Sequence, residues 1–413
     1  MFNFYFSGLI IDIFARKWIF MKIRVVIVFL ISCIFTGNLF SQEQDSTFKK
    51  KNFLQRMDSI TNWKLERGRS TFVPFIAPSY TPETSVMLTG GGLYTFKINP
   101  ENKLLSRSSV PFSIGYSTNG SLLISIKANI YGLNDKLRFT GEYWNKNMPG
   151  NYWGVGYEKG RYTPQSDTTT QYHRNWQQFK FKIAYEVFPK LFLGLNYDNN
   201  STVATEINDV MAVDSNYLLH GSEVNNSGFG MVLRYDSRDF PENAFKGMLL
   251  ELAGTGYAKN SRSKNVFQVY ELDYRQYQQI IRKGSTLAWQ IKTRLSYGDV
   301  PWTDLSMIGT PFDLRGYIWG NYRDYASTFA LAEYRYMFAR KTPNGRGDMY
   351  GPFGFVVWGG TGSVAQDVGE FTQWLPNAGV GLRFEIQKRM NLRIDYGFGA
   401  DSQAFYFSFN EAF

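Results

Sequence analysis

The residues in this sequence that could do chemistry are arginines and carboxylates rather than nucleophiles. Cysteine occurs once and histidine twice, too few for a disulfide framework, a zinc ribbon or a thiol protease. No G-x-S-x-G turn, metal-spaced histidine pair or phosphate-binding loop occurs. No catalytic residue, metal or cofactor is therefore assigned. His173 and His220 read as solvent-facing, and a His/Ser phospholipase finds no convincing serine partner. What remains is ion pairing. Arg315 stands in Leu314-Arg315-Gly316-Tyr317, within the long gap 299–325. A guanidinium withdrawn from water needs a carboxylate, best bound in bidentate fashion. Glu333 and Asp395 are the two candidates. Asp395 is preferred slightly, because Arg393 lies beside it and would keep one charge balanced. The alternative is an ordinary solvent-exposed loop arginine. Asp236, Arg238 and Asp239 form a second charged group, which either supports the same loop or stabilises a turn beside Pro241.

These groups have to be positioned by strands. Phe179, Phe181, Ile183, Tyr185 and Val187 alternate with Lys180, Lys182, Ala184 and Glu186, and the same period of two recurs along the chain. It places Glu333 and Arg335 on one face of a strand at 326–338. Arg393 and Asp395 share the corresponding face of one at 390–399. Sixteen such strands can be drawn from 85–98 to 403–412, including one at 150–160. An even number suits a bacterial barrel. Long gaps at 161–173, 200–225 and 299–325 alternate with short turns, as extracellular loops do. Gly90, Gly91 and Gly92 would lie in the first of these strands, either weakening its pairing or kinking the barrel.

A soluble sandwich shows the same period, so other features decide. The chain of 413 residues is 17% aromatic and has 38 glycines, which suits a transmembrane barrel with aromatic girdles. Met21-Lys22-Ile23-Arg24 followed by apolar Val25 to Thr36 reads as an export signal ending near Ser41, too short to be a stop-transfer helix. Met21 is the preferred start. Cys33 offers an alternative lipoprotein processing site, but the apolar run continues past it. The formal net charge of +10 does not indicate nucleic acid, because Lys and Arg alternate with apolar residues instead of forming a patch. The expected organisation is a signal at 1–41, a short periplasmic segment at 42–84 with one amphipathic helix, and an all-β transmembrane antiparallel barrel at 85–413.

Several segments carry a family likeness. Leu314-Arg315-Gly316-Tyr317 is followed by Ala332-Glu333-Tyr334-Arg335 and preceded by Arg234-Tyr235-Asp236-Ser237-Arg238-Asp239. Gly379 to Phe384, Asn391 to Gly397, and a terminal strand with Phe405, Phe407, Phe409 and Phe413 complete the set. In this order they resemble the BamA/TamA superfamily of outer-membrane barrels, the bacterial surface antigen family. The resemblance implies sixteen strands, a long loop folded back into the lumen, and a weakly paired seam between the first and last strands. It further implies a role in inserting or translocating proteins or lipids at the bacterial outer membrane. Residues 42–84 are too short for a POTRA domain, so the likeness is to a short subclass, and a periplasmic or outer-membrane protein partner would supply that function. A diffusion porin or a scaffold barrel is the alternative. One departure is specific: Phe355 to Gly360 lacks the carboxylate expected there to balance the loop arginine.

Overall fold

The computed structural model describes residues 69–81, 84–102, 105–259, 265–339, 350–387 and 389–413. The expected signal peptide, with Met21 and Cys33, and the expected amphipathic helix lie outside these residues. Sixteen antiparallel strands, each hydrogen-bonded to the next, form a nearly closed transmembrane barrel. They are β1 (Thr71–Thr81), β2 (Ser85–Phe96), β3 (Ser108–Ser117), β4 (Leu122–Gly132), β5 (Leu137–Asn151), β6 (Gln171–Phe188), β7 (Leu191–Thr205), β8 (Glu223–Asp236), β9 (Gly247–Tyr257), β10 (Phe267–Gln279) and β11 (Ser285–Gly298). After two short strands, β12 (Ser306–Met307) and β13 (Arg323–Asp324), the wall resumes with β14 (Ala326–Ala339), β15 (Tyr350–Ala365), β16 (Leu375–Gln387), β17 (Met390–Phe398) and β18 (Gln403–Phe409).

Period two sorts the side chains as expected. Phe72, Ile76, Leu88, Ile114, Phe179, Leu195, Phe229, Leu382 and Phe405 are all exposed on the outer face. So much apolar surface is incompatible with water and is the mark of a lipid-facing band. Charged residues fill the inner face: Lys180 pairs with Asp198, Lys182 with Glu251 and Arg275 with Asp273. The outer face of β6 changes character along its length, from Val187, Tyr185 and Ile183 to the exposed Gln177, Asn175 and Gln171. Strands β5 to β8 thus stand beyond the apolar band at the long-loop end.

The strand count agrees with the expectation through two compensating corrections. Thr71–Thr81, placed in the segment 42–84, is the first strand of the barrel. Pro74 and Pro78 and apolar residues on both faces hid it, since proline argues against a strand unless it is at an edge. The expected strand 150–160 does not form. Gly154 and Gly156 take positive φ, turning the chain inward, so that neighbours Tyr152 and Trp153 are both buried. A short helix at Tyr157–Tyr162 follows. Gly90, Gly91 and Gly92 consequently belong to β2, where a side chain on Gly91 or Gly92 would strike the rings of Phe75 and Phe72 from β1. They make room for aromatic packing.

Every consecutive pair of wall strands shares a ladder, but none joins β1 to β18 among the described residues. That seam is the one interruption in the described wall.

Candidate functional site

The segment between β11 and β14 folds into the barrel. Its tip is shaped by Asp313, whose carboxylate accepts from the Gly309 and Thr310 backbone N–H groups at 2.9 and 2.6 Å and from the Thr310 hydroxyl at 2.7 Å. Burial pushes the Asp313 carboxyl above its ordinary range, although these hydrogen bonds oppose the shift. Leu314 is buried among Ile308, Tyr317, Tyr322, Phe329 and Leu331. Gly316 has φ of +114°, and a side chain there would meet the backbone of Gly397, Phe398 and Gly399 at about 2.7 Å. Glycine permits the tip to lie directly against β17.

Arg315 is fully buried. Its Nη1 donates to Asp395 Oδ2 at 2.7 Å, and its Nη2 donates to Glu333 Oε1. Both carboxylates proposed from the period-two faces therefore bind it, one on each guanidinium nitrogen, rather than one of them alone. Arg335 Nε holds the other Glu333 oxygen at 2.9 Å, and Arg383 Nη1 holds the other Asp395 oxygen at 2.6 Å. Arg383 Nε also reaches Glu411 at 2.8 Å, and Arg393 lies 3.5 Å from Asp395 while donating to the Pro311 carbonyl at 3.0 Å. Four arginines thus surround three carboxylates at the tip of the loop.

The carboxylate missing from β15 is replaced by an aromatic face. The Arg315 guanidinium carbon lies 3.6 Å from the centre of the Trp358 ring, a cation–π contact. Trp358 rests flat over Gly379, where any side chain would collide with it, and its indole N–H donates to Asn377 at 3.0 Å. Asn377 in turn donates to the Arg315 carbonyl. Tyr317 completes the attachment: its hydroxyl donates to the Pro376 carbonyl at 2.7 Å and accepts from Ala400 N–H at 2.9 Å. Trp358, Asn377, Arg383 and Glu411 escaped the sequence reading. Period two across β16 was the available signal for Arg383; nothing local distinguishes Trp358 from the other tryptophans.

Not every charged group contributes to this anchor. Asp236 binds Arg138 at 2.8 Å and Arg238 at 2.9 Å, and Arg238 donates to the Pro241 carbonyl at 2.9 Å. Asp239 accepts from Phe245 N–H at 2.9 Å and from Arg389 at 2.7 Å. These residues close the turn between β8 and β9, at the opposite end of the wall strands from the 299–325 loop. Of the two readings, turn stabilisation is the one the geometry supports. In the terminal segment, Phe405 and Phe407 lie on the outer face, while the side chain of Phe409 lies outside the described set. Phe413 is not part of that face. The strand ends at Phe409, and Phe413 is buried inside with its ring 4.8 Å from Arg335.

Other loops close over the same end. Trp302 is buried against Tyr152, Tyr172 and Tyr217, and its N–H donates to the Gly221 carbonyl at 3.0 Å. The neighbouring Asp304 accepts from Asn200 at 2.8 Å and from Asn226 at 2.7 Å on the barrel wall. Burial raises the Asp304 carboxyl above its ordinary range.

No protein-family profile matches the sequence, and no curated protein does. Solved structures do. CdiB from Escherichia coli aligns over 83% of this chain and 61% of its own, with a TM-score of 0.51 and 10% identity. The fold is similar to that of the CdiB barrel. CdiB from Acinetobacter baumannii aligns over 83% of this chain and 59% of its own, with TM-score 0.47 and 16% identity. BamA from Haemophilus ducreyi lacking POTRA domains 1–3 aligns over 83% and 70%, with TM-score 0.49 and 13% identity. The chain thus spans about three-fifths of the CdiB structures it matches. The expected likeness to this class of barrel holds at the level of the fold, through the E. coli CdiB structure.

Proposed function

We propose that this protein is a bacterial outer-membrane barrel that inserts or translocates polypeptides, or lipids, through the seam between β1 and β18. The observation that carries this reading is a seam with no ladder between β1 and β18 among the described residues, together with a lumen closed by an anchored loop. A barrel wall laddered all the way round is the stable arrangement, so a seam without a ladder among the described residues, in a wall laddered everywhere else, calls for a use. The reading includes a periplasmic or outer-membrane partner that delivers the client. No enzymatic step is assigned to it.

A photo-crosslinking residue at Ile76 on β1 or Phe405 on β18 tests the idea in cells. Polypeptide adducts should exceed those at Leu252 on β9, which is lipid-facing but remote in strand order. Equal adducts at all three positions would refute a seam route. The diffusion-porin alternative is separated in planar bilayers. A loop-closed lumen predicts small or flickering conductance that rises when 299–325 is deleted; large, steady conductance unaffected by the deletion would establish the porin instead.

A further inference from the structure

A carboxylate withdrawn from water must be met by a cation or by a full set of hydrogen bonds. Asp304, Asp313 and Asp324 are the buried carboxylates of the loop 299–325. Asp304 accepts from Asn200, Asn226 and Thr303, and Asp313 accepts from Gly309 and twice from Thr310. Asp324 on β13 is the exception. It is only 7% exposed, yet it accepts a single hydrogen bond, at Oδ1 from the N–H of its neighbour Tyr325 at 2.8 Å. Its Oδ2 accepts none, and among the described residues no lysine, arginine or histidine lies within ion-pair distance. The charge that does act on it has the same sign. Burial, and after it the carboxylate of Glu370, raises the Asp324 carboxyl above its ordinary range, against the hydrogen bond from Tyr325.

Asp324 and Glu370 line one cavity of about 260 Å³ at the long-loop end, between the helix Tyr157–Tyr162, β13 and the connection from β15 to β16. No lysine, arginine or histidine is in its lining. A third carboxylate, Glu158, stands beside it and accepts from the lining Gln373 at 2.7 Å. Like charges converging on one cavity disfavour one another, and a cation between them removes that cost. Size and lining select the kind of cation. One water takes up about 30 Å³ of liquid, so this volume holds a charged group together with several carbon atoms. Tyr157 and Val364 give the lining an apolar side, which suits an alkyl stem better than a hydrated ion. A divalent metal fits poorly. Among the described residues no three His, Cys, Asp or Glu side chains are placed to hold one, whereas calcium takes about six to eight oxygens. We propose that this cavity binds a primary ammonium group carried on an alkyl stem, with Asp324 Oδ2 accepting at its floor and the exposed Glu370 accepting at its mouth. The stem lies along Tyr157 and Val364. Either a free amine or a lysine side chain borne on a polypeptide presents this chemistry.

The test is ligand-observed saturation-transfer NMR on the full chain refolded in a zwitterionic detergent, at constant ionic strength in sodium chloride. The titrants are butylammonium chloride, neutral butanol of like shape, acetyl-lysinamide with its side-chain ammonium free, and calcium chloride as a competitor. A saturable signal is expected with butylammonium and none with butanol. Saturation by acetyl-lysinamide as well assigns a chain-borne lysine; saturation by butylammonium alone assigns a free amine. Asp324→Asn keeps the shape of the side chain and removes its charge. It should raise the half-saturating concentration about tenfold or more, the loss of one charge-assisted hydrogen bond. Glu370→Gln, at an exposed position, should raise it about two- to fivefold. Heat-modifiable migration shows that each variant is folded, and Glu370→Gln carries the test if Asp324→Asn fails that check. The proposal is overturned if butanol titrates like butylammonium, if calcium displaces the amine at a lower concentration than the amine itself needs, if butylammonium gives no saturable signal, or if the folded variant that carries the test binds unchanged.

Discussion

At the scale of single residues, Arg315 acts as a bolt with two keepers. Removing one partner of a buried ion pair costs roughly 3–5 kcal/mol when the other is left uncompensated. Here Arg335 stays on Glu333 and Arg383 stays on Asp395, so neither carboxylate is orphaned. Arg315→Ala should therefore release the loop and leave the wall intact. Protease cleavage within 299–325 should accelerate while heat-modifiable migration is retained; unchanged protection would remove Arg315 from this role. Arg315→Lys should behave almost as badly, because a single ammonium cannot span both carboxylates. The two loop carboxyls predict a pH response. Asp304 and Asp313 are raised above their ordinary range by burial, so the closed loop binds protons more readily than the open one. Their contribution to closure is fully present below the usual aspartate value of about 3.9 and is lost as pH rises through their raised values. Proteolysis of wild type and of the Asp304→Asn, Asp313→Asn double variant should diverge across that window, the wild type losing protection more steeply with rising pH. Parallel profiles would contradict it.

At the scale of elements, the inner and outer faces of most strands were legible because period two has one meaning in a wall with lipid outside and charge inside. Glu333 and Asp395 could be placed on the inner face from their own strands alone. What the pattern concealed was β1, whose prolines and two-sided apolarity imitate a linker, and the inward turn after Asn151, whose aromatics Tyr152, Trp153 and Tyr157 imitate a strand. Trp358 was illegible for another reason: its partner comes from a loop about forty residues away, and no local rule links them. The prolines of β1 also have a physical use. Pro74 and Pro78 are four residues apart, so their nitrogens, which lack hydrogen, point the same way; the ladder with β2 leaves them the seam edge. A Pro74→Val, Pro78→Val variant restores two donors there. Amide exchange in β18 should slow as the seam gains pairing, and exchange at the wild-type rate would show that the prolines do not control it.

At the scale of the whole molecule, the barrel is braced unevenly. The loop that closes the lumen takes hold of β14 through Glu333, β15 through Trp358, β16 through Asn377, β17 through Asp395 and β18 through Tyr406, whose hydroxyl accepts from the Gly316 N–H at 3.0 Å. None of these anchors comes from β1 to β4. If the seam parts, the first hairpins form the moving leaf, while β14 to β18 and the loop form the frame.

The same arrangement sets an order of events during assembly. Glu333 follows Arg315 by 18 residues and Asp395 follows it by 80. The first grip is available as soon as β14 pairs with β11, whereas the second waits for almost the entire remaining chain, and contacts between distant residues form late. Until β17 is in place the loop hangs by one side, and the growing sheet can still curl around an unobstructed interior. Locking of the loop therefore reports that the barrel has been completed, and the timing of Arg315 protection during refolding would serve as a clock for closure of the C-terminal wall.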